Sequence, residues 1–373
     1  MAWLSGWDNR IKLTIDNTKV DSELSHFPVT VVLSSTHGDC VFDELTSNAN
    51  RTKIAFTKSD GTTQLYGEIE KWDDANESAV IHVSLSGWSI SSSADTDFYM
   101  YYDSSHAANT TYIGDIDSTP GHSVWDSNFK FVCHMVDATT STVKDSTSNG
   151  NDGTKKAANE PIEAAGKIGQ GQDFDGTDDK IDIGTIAEMT SWTLEAACNP
   201  DRVAVTTSLN GLALISNDVG GWNDDILFGI CVEGTGHNTT KRFGVTSQDS
   251  VSEVRTIAED DTDAVIGTDY HVVARSDGSD LCLLVDGALK DTTAKAGTAL
   301  KFGGTTTYLG ATPNALRPWY GIISETRISE TNRSAAWVKA TYNTLWDTLL
   351  TYGSEETDSG GVTENAVFFG MAF

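Results

Sequence analysis

Short segments in which apolar and polar residues alternate recur along the whole chain. Ile11, Leu13 and Ile15 alternate with polar residues between positions 10 and 16, which is the period of a strand with one buried face. Comparable segments, rich in β-branched and aromatic residues, lie at 27–33, 53–57, 79–85, 97–102, 129–136, 180–183, 192–198, 226–232, 270–276, 281–285, 306–309 and 321–328. Many short strands at this spacing predict sandwiches rather than alternating strands and helices.

Turn and helix signals agree with this pattern. Asp286-Gly287 directly follows a predicted strand, and Asp-Gly favours tight hairpins because both positions tolerate a positive φ. One helix is predicted at 334–345, where Ser334 can cap the first turn and Trp337 begins an apolar face. The predicted fold class is therefore all-β, with two β-sandwich domains and one short C-terminal helix.

Composition divides the chain into three parts. A polar stretch with Pro and Gly at 117–121 marks a boundary, so we expect domains at 1–118 and 119–352. The remainder, 353–373, begins as a small, polar and acidic linker and ends in an apolar tail. Exposure of such a tail is unfavourable in water. We expect it to dock on a neighbouring subunit or a larger assembly through Val367, Phe368, Phe369, Met371 and Phe373.

The charge of the chain argues against several partners. Its 373 residues include 54 acidic side chains and 25 Lys or Arg side chains, which gives a net charge of −29. Nucleic-acid binding requires a basic surface, and an anionic membrane repels a chain of this charge. The sequence contains no run of about 18 apolar residues, so no transmembrane helix is predicted. It has no basic and apolar leader, so no signal peptide is predicted. The five cysteines form no Cys-x-x-Cys pair, which argues against a zinc ribbon.

The first part of the chain resembles a known but uncharacterised domain. This family is a β-sandwich domain of bacterial, archaeal and viral surface proteins, whose function is unknown. The resemblance covers residues 3–105 and rests on Trp7 and on the segments 10–15, 27–33, 54–61, 68–72 and 98–102. It implies a sandwich fold and a place on a virion or an extracellular surface.

The second part, from about 123 to 350, resembles the laminin-G-like, concanavalin A-like jelly rolls. The resemblance rests on the segments 145–153, 166–170, 174–179, 192–195, 270–274, 284–287 and 321–328. It implies a jelly-roll fold. The function stays open, because this fold is shared by lectins, adhesins, enzymes and inert spacers.

A calcium site is expected in the loop at 145–153. Hard cations such as Ca²⁺ take six to eight oxygen ligands, and this loop is dense in carboxylate and amide oxygens. In the family, such a loop meets an acidic pair on the closing strand, which here reads Ser324-Glu325, with Ser where Asp is more usual. A turn without metal is the alternative. The expected ligands are Asp145, Asn149, Asn151, Asp152 and Glu325.

Two aromatic clusters are candidates for binding a glycan. Trp222, Asn223 and Asp224 follow a Gly-Gly pair in a predicted loop, and Trp319 and Tyr320 precede the closing strand. Sandwich lectins stack aromatic rings on sugars and bond the hydroxyls with Asp or Asn. The alternative is that each Trp covers an edge of the sandwich.

Signals for catalysis are weak. Glu68 and Glu70 are the only closely alternating Glu pair on a predicted strand, and we expect an exposed strand edge there rather than the carboxylate pair of a glycosidase. No Gly-x-Ser-x-Gly elbow and no P-loop occur. We expect a non-enzymatic virion structural or adhesion protein, homo-oligomeric and in contact with a glycan or host surface and with other virion or surface proteins. A polysaccharide-active glycoside hydrolase and a secreted cellular adhesin are the alternatives.

Overall fold

The structure of the chain is nearly all β. The computed structural model describes residues 2–203, 211–218, 225–230, 241–249, 251, 253–297, 300–314 and 317–358. Strands make up 47% of it and three helices occur in the described ranges. The predicted strands at 192–198 and 270–276, for example, correspond to Trp192–Pro200 and Tyr270–Ser276. The all-β prediction is confirmed.

The elements follow one another in chain order. The strands up to the first boundary are β1 (Asn9–Ile15), β2 (Leu24–Ser25), β3 (Val29–Leu33), β4 (Ile54–Lys58), β5 (Gln64–Asp73), β6 (Ser78–Ser84), β7 (Ser89–Ile90), β8 (Thr96–Tyr102) and β9 (Ile113–Asp115). The later strands are β10 (Phe129–Cys133), β11 (Asp137–Thr139), β12 (Thr142–Val143), β13 (Gly153–Lys155), β14 (Ile162–Ala165), β15 (Gln170–Asp175), β16 (Ile181–Thr185), β17 (Trp192–Pro200), β18 (Leu212–Ser216), β19 (Asp225–Ile230), β20 (Phe243–Gln248), β21 (Arg255–Glu259), β22 (Tyr270–Ser276), β23 (Asp280–Val285), β24 (Ala288–Ala294), β25 (Thr306–Leu309), β26 (Tyr320–Ser329) and β27 (Leu350–Thr357). The helices are α1 (Asp39–Leu45), α2 (Thr119–His122) and α3 (Ala335–Leu345), with short 3-10 turns at Asn17–Lys19 and Asn48–Asn50.

The long strand β5 joins the two layers of the first sandwich. Its first residues pair with β4 and the rest pair with β6, so that one sheet runs in the order β27-β1-β8-β4-β5-β6-β3, with β9 beside β5. Leu13 and Phe56 from one layer share a buried core with Val31 and Ile81 from the other. Alternation on each strand places these side chains inward.

The last described strand returns to the first sandwich and corrects the predicted domain organisation. β27 pairs antiparallel with β1, from Leu350 opposite Ile15 to Thr357 opposite Asn9. Its residues from Gly353 onward were expected in a solvated linker. They form a strand instead, because β1 offers an open edge for hydrogen bonding. The second domain therefore does not extend to residue 352.

Helix α3 confirms the predicted C-terminal helix. Ser334 caps it, since its hydroxyl accepts a hydrogen bond from the Trp337 backbone N–H at 3.1 Å. Trp337 and Ala340 are buried in the core of the first sandwich, whereas Val338 packs against Val273 on the outside of the second. The helix thus lies between the two sandwiches.

The second sandwich is built from two sheets. One runs β14-β15-β26-β17-β22-β23-β24, with β10 also paired to β26, and the other runs β11-β12-β13-β16-β25-β18-β19-β20-β21. Their inner faces enclose one apolar core that includes Phe131, Trp192, Leu283 and Trp319. This arrangement is a face-to-face β-sandwich, as predicted for the second domain.

The outer face of the β26 sheet is covered as well. Opposite β17, β26 carries a bulge, because Glu325 pairs with Ala197 and Ile323 with Cys198, which leaves Ser324 as the extra residue. Ile323 consequently faces the apolar core, and Glu325 faces the first sandwich. The interface between the two sandwiches is therefore lined with polar side chains.

Two further expectations concern membrane insertion and the C-terminal tail. No helix in the part of the chain that the structure describes is long and apolar enough to cross a membrane. The predicted docking residues Val367, Phe368, Phe369, Met371 and Phe373 lie outside the described residues.

Candidate functional site

A groove of about 410 Å³ opens beside Tyr320, the first residue of β26. Tyr320 pairs with Asp175 on β15, and its carbonyl oxygen accepts a hydrogen bond from the Asp201 N–H at 2.8 Å. These backbone bonds fix the ring at the end of the sheet. The groove is lined by Asn159, Glu160, Ile162, Asp173, Asp175, Asp179, Asp201 and Tyr320. We call it the Tyr320 groove.

The Tyr320 groove combines exposed apolar surface with carboxylates. The Tyr320 side chain is 39% exposed and that of Ile162 is 60% exposed. Burial, together with the charges of Asp201 and Asp175, raises the pKa of Asp173. The groove therefore offers a ring face, an apolar rim and hydrogen-bond acceptors to a polar ligand.

A second groove, of about 610 Å³, lies on the outer face of three neighbouring strands. Thr154 of β13 is opposite Asp182 of β16, which is opposite Tyr308 of β25. Lys180 Nζ lies 4.8 Å from the centre of the Tyr308 ring. Its lining is Gly150, Asn151, Asp152, Thr154, Lys155, Lys156, Lys180, Asp182, Ile183, Gly184 and Tyr308. We call it the Tyr308 groove.

The predicted glycan-binding residues have different outcomes. Trp319 has no exposed surface and belongs to the apolar core of the jelly roll, so the expectation that it stacks on a sugar is corrected. Tyr320, its neighbour, points the other way because successive residues of a strand face opposite sides. Trp222, Asn223 and Asp224 lie outside the described residues.

The carboxylate oxygens of Asp145 accept hydrogen bonds from groups of the protein itself. Its carboxylate accepts hydrogen bonds from the backbone N–H groups of Val132, Thr147 and Asn151 at 3.2, 2.9 and 2.9 Å, and from the Thr147 hydroxyl at 2.9 Å. Four donors therefore hold the loop closed. Asp145 has no exposed surface, and burial raises the pKa of its carboxyl group.

The other expected calcium ligands also have protein partners. Asn149 and Asn151 donate from their side-chain amides to the carbonyl oxygens of Phe129 and Lys130. Asp152 accepts from the Asp145 N–H at 3.1 Å and from Lys144 Nζ at 2.6 Å. Among the described residues, Asp145, Asp152 and Glu325 do not form a group that could share one ion. Calcium binding at this loop stays a prediction.

A group of titratable side chains is buried between the two sandwiches. It is brought together by β5 and β6 of the first sandwich and by β26 and the end of β10 of the second. Each member is at most 6% exposed. We call this group the interface cluster, and its members are Glu68, Glu70, His82, His134, Glu325 and Arg327.

The two histidines form the centre of the interface cluster. Their imidazole rings stack with centroids 4.4 Å apart and planes at 10°. His82 Nε2 lies 2.8 Å from Glu70 Oε2, and His134 Nδ1 lies 2.7 Å from Glu325 Oε2. Glu70 is the extra residue of a bulge in β5, between the paired residues Ile69 and Lys71. Each side of the interface thus carries a bulge at or next to the carboxylate that lies beside the rings.

Further donors surround the carboxylates. Arg327 Nε donates to Glu325 Oε1 at 2.7 Å, and Trp125 Nε1 donates to Glu68 Oε2 at 2.6 Å. The Arg327 guanidinium also lies 5.0 Å from the centre of the Trp125 ring. These contacts fix the orientation of both carboxylates.

The environment drives the pKa values in the cluster apart. Burial raises the pKa of Glu70 to about 7. Burial opposes a charge on Glu325, but His134 and Arg327 lower its pKa to about 2. Burial also opposes a charge on His134, yet the charges of Glu325 and Glu70 raise its pKa well above the usual value. Burial and the neighbouring His134 lower the pKa of His82.

The sequence contained one signal for this cluster, the alternation of Glu68 and Glu70. An exposed strand edge was expected there, and this expectation is corrected, because both side chains are covered by the second sandwich. Neither hydrophobic periodicity nor motif spacing reveals which outer faces of two sheets meet. His134 and His271 are buried as well.

Comparisons with known proteins concern the second sandwich. No curated protein matches the chain. Domain 4 of AbnA, a GH43 extracellular arabinanase from Geobacillus stearothermophilus solved with arabinotriose, is 18% identical over 57% of this chain and 97% of its own, with a TM-score of 0.44. The botulinum neurotoxin serotype G binding domain is 12% identical over 58% of this chain and 50% of its own, with a TM-score of 0.42.

A third solved structure is more distant still. The CBM40 of the Ruminococcus gnavus IT-sialidase, bound to α2,3-sialyllactose, is 18% identical over 41% of this chain and 83% of its own, with a TM-score of 0.32. At such identities and TM-scores these likenesses say nothing about what this chain binds. A family model described as the concanavalin A-like lectin/glucanases superfamily matches residues 175–339. The match covers less than half of the chain, and it supports a concanavalin A-like jelly-roll fold for this segment.

Proposed function

We propose that this chain is a non-enzymatic adhesion protein that binds a glycan in the Tyr320 groove. The observation that carries the proposal is the half-exposed Tyr320 ring in a groove rimmed by carboxylates. An aromatic face covers the apolar side of a sugar ring, and carboxylate oxygens accept hydrogen bonds from its hydroxyls. The family description, which names lectins and glucanases, supports a carbohydrate ligand.

Binding is favoured over hydrolysis by the placement of the acidic side chains. Glu68 and Glu70 are buried at the interface, where no polysaccharide reaches them. The alternative of a glycoside hydrolase has one specific observation in its favour, the raised pKa of Asp173 next to Asp201, since glycosidases pair a protonated with an ionised carboxyl group. The variants below separate the two functions.

The finer assignment is a virion or extracellular surface component. The resemblance of residues 3–105 to a surface and viral sandwich domain supports it, and other virion or surface proteins are then its partners. A homo-oligomer held by the C-terminal tail and Ca²⁺ in the 145–153 loop belong to the same proposal. Mass spectrometry of purified virions and of surface-shaved cells tests the location.

The glycan proposal is tested with a matched pair of variants on a glycan array, with and without calcium. Tyr320→Ala should weaken binding at least about tenfold, which corresponds to about 1.4 kcal/mol. Tyr308→Ala removes a ring from the neighbouring groove and should leave binding unchanged. If only Tyr308→Ala weakens binding, the assignment to the Tyr320 groove is wrong. If the wild-type chain binds no glycan on the array or on its host surface, the function itself is wrong.

A further inference from the structure

Three potential ligand atoms for a transition metal, from Glu70, His82 and His134, converge in the interface cluster, and a carboxylate oxygen of Glu325 lies beside one of them. We propose that Glu70, His82, His134 and Glu325 bind one divalent transition-metal ion of the zinc class and that this ion links the two sandwiches. Two ligands come from β5 and β6 of the first sandwich, and two come from the end of β10 and from β26 of the second. The proposal is independent of glycan binding.

The spacing of the ligand atoms fits such an ion. One atom each from Glu70, His82 and His134 lie within 4.8 Å of one another. The Oε2 of Glu70 is 2.8 Å from His82 Nε2 and 3.5 Å from His134 Nδ1. Ligand atoms around a tetrahedral zinc ion are separated by about 3.3 Å, given Zn–N and Zn–O distances of about 2.0–2.1 Å. Glu325 is the natural fourth ligand, because its Oε2 lies 2.7 Å from the same His134 Nδ1.

The outer atoms of the ligands are already held by other groups. His82 Nδ1 lies 3.1 Å from the Thr30 hydroxyl, which leaves Nε2 for the metal. His134 Nε2 lies 3.4 Å from Glu68 Oε2, which leaves Nδ1. Oε1 of Glu325 accepts from Arg327, so Oε2, the oxygen next to His134 Nδ1, is the atom that would face the metal. Partners of this kind orient metal ligands and fix the tautomer of each histidine.

The charge of the cluster is also compatible with a bound cation. Three buried carboxylates, Glu68, Glu70 and Glu325, face one permanent cation, Arg327. Burial of charged groups away from water is strongly unfavourable unless groups of opposite charge lie beside them. Metal ligation requires neutral imidazoles, and with both imidazoles neutral and all three carboxylates ionised a divalent ion balances the remaining two negative charges. Glu70 Oε1 and Glu68 Oε1 are buried side-chain atoms for which no hydrogen-bond partner is found.

The ligand set selects the type of metal. Two imidazole nitrogens and two carboxylate oxygens suit zinc and its neighbours among the first-row transition metals, whereas calcium and magnesium prefer oxygen ligands alone. A surface groove of about 360 Å³, lined by Glu70, Ile69, Trp72 and Val136, lies next to the cluster. The site thus has suitable ligands and outer partners.

The test is metal analysis of the purified full chain by inductively coupled plasma mass spectrometry, after expression with added zinc and dialysis against a weak chelator. We expect about one zinc per chain in the wild type and less than a tenth of that in His134→Gln. His271→Gln is the matched control. His271 is equally buried, lies 3.3 Å from Glu195 on the same sheet, and is outside the cluster. This variant should retain the full zinc content.

A second measurement protects the test against misfolding of His134→Gln. Chelated wild-type protein is titrated with Co²⁺, and the intense visible absorption of a four-coordinate ion is expected at one equivalent, with reversal by zinc but not by calcium. Thermal unfolding of the same protein should shift to higher temperature with zinc. The proposal is overturned if the wild type carries no stoichiometric metal and neither Co²⁺ absorption nor a zinc-dependent shift appears. Loss of zinc in His271→Gln to the same extent as in His134→Gln also overturns it.

Discussion

His82 and His134 stack face to face across the interface, with ring centroids 4.4 Å apart, although one belongs to each sandwich. Imidazoles at this distance cannot both be charged without strong repulsion. The pKa shifts agree, since the pKa of His134 is raised and that of His82 is lowered. The contact between the sandwiches is therefore specific for one arrangement, because sliding either sheet would separate the buried charges from their partners.

The buried guanidinium of Arg327 should contribute strongly to stability. Arg327→Met keeps most of the volume but leaves Oε1 of Glu325 without its charged donor at 2.7 Å. Removal of one partner of a buried pair costs about 3–5 kcal/mol. We expect a loss of this size in the free energy of unfolding, measured by urea denaturation.

The control for this prediction is Arg51→Met, which removes a pair with Asp115 at 2.6 Å on the surface. Exposed pairs contribute about 0–1 kcal/mol. Equal effects of the two variants would contradict the role of burial.

Even a conservative replacement of Arg333 should lower the stability of the protein. Its two terminal nitrogens donate to the two oxygens of Asp126, both at 2.7 Å, and its guanidinium lies between the rings of Phe129 and Trp337 at 4.4 and 4.1 Å. Lysine cannot form this fork. We expect Arg333→Lys to lose about 1.5–3 kcal/mol of stability, measured by chemical unfolding. Lys339→Arg, in an exposed pair with Asp21, should change little.

The same pair predicts a dependence on pH. Burial opposes the charge of Asp126, but hydrogen bonds and the charge of Arg333 lower its pKa below the usual value. A carboxyl group with a lowered pKa in the folded state stabilises the protein above its unfolded pKa of about 3.9, and this stability is lost on further acidification. The melting temperature of Asp126→Asn should therefore fall less steeply than that of the wild type below about pH 4. Parallel acid profiles would argue against the pair.

Two truncations separate the roles of β27 and of the tail. Deletion from Gly353 removes Glu355 and Glu356, which accept hydrogen bonds from Tyr102 and Arg10 at 2.8 and 2.7 Å. We expect a lower melting temperature. Deletion from residue 359 should leave the melting temperature unchanged but abolish self-association, seen as a lower mass in light scattering. An unchanged mass would contradict docking through the tail.

The loop around Asp145 can be tested for calcium and for structure in one experiment. Asp145→Asn replaces one carboxylate oxygen by an amide N–H donor that faces other donors. We therefore expect the free energy of unfolding to fall by about 1–3 kcal/mol even when a chelator removes calcium. If the loop also binds Ca²⁺, the wild type should melt higher with millimolar calcium and the variant should not. Identical melting of the wild type with and without calcium would refute the calcium prediction.

No glycosidase activity is expected from the Tyr320 groove. We expect no release of reducing sugar from algal, bacterial or archaeal polysaccharides by the wild type. Turnover that Asp173→Asn abolishes would establish the hydrolase alternative instead.

Local patterns predicted the strands and α3 well, because alternation and capping depend on neighbouring residues. Trp192–Pro200 and the helix capped by Ser334 are examples. The strand with which β27 pairs could not be predicted in this way. Its pairing with β1 joins positions more than three hundred residues apart, and the polar sequence from Gly353 to Thr357 is equally typical of a linker and of an edge strand.

The buried site was hidden for a different reason. Glu68 and Glu70 share a face by ordinary alternation, but Glu325 reaches the interface cluster only because the bulge at Ser324 shifts the alternation of β26 by one residue. The sequence carries no mark of such a shift. Tyr320, by contrast, was a sequence candidate for glycan binding, with covering of a sandwich edge as the alternative, and its ring is half-exposed at the start of β26.

The pairing of β1 with β27 constrains the order in which the two sandwiches can fold during synthesis on the ribosome. The first strand of the first sandwich emerges early, but its neighbour at the sheet edge is made only after the whole jelly roll. Domains generally fold as units during synthesis, at about 5–20 residues per second. The jelly roll can therefore complete its core while the earlier-made sandwich still lacks a strand and the capping helix α3. The first sandwich, although it begins the chain, is therefore the last to be completed.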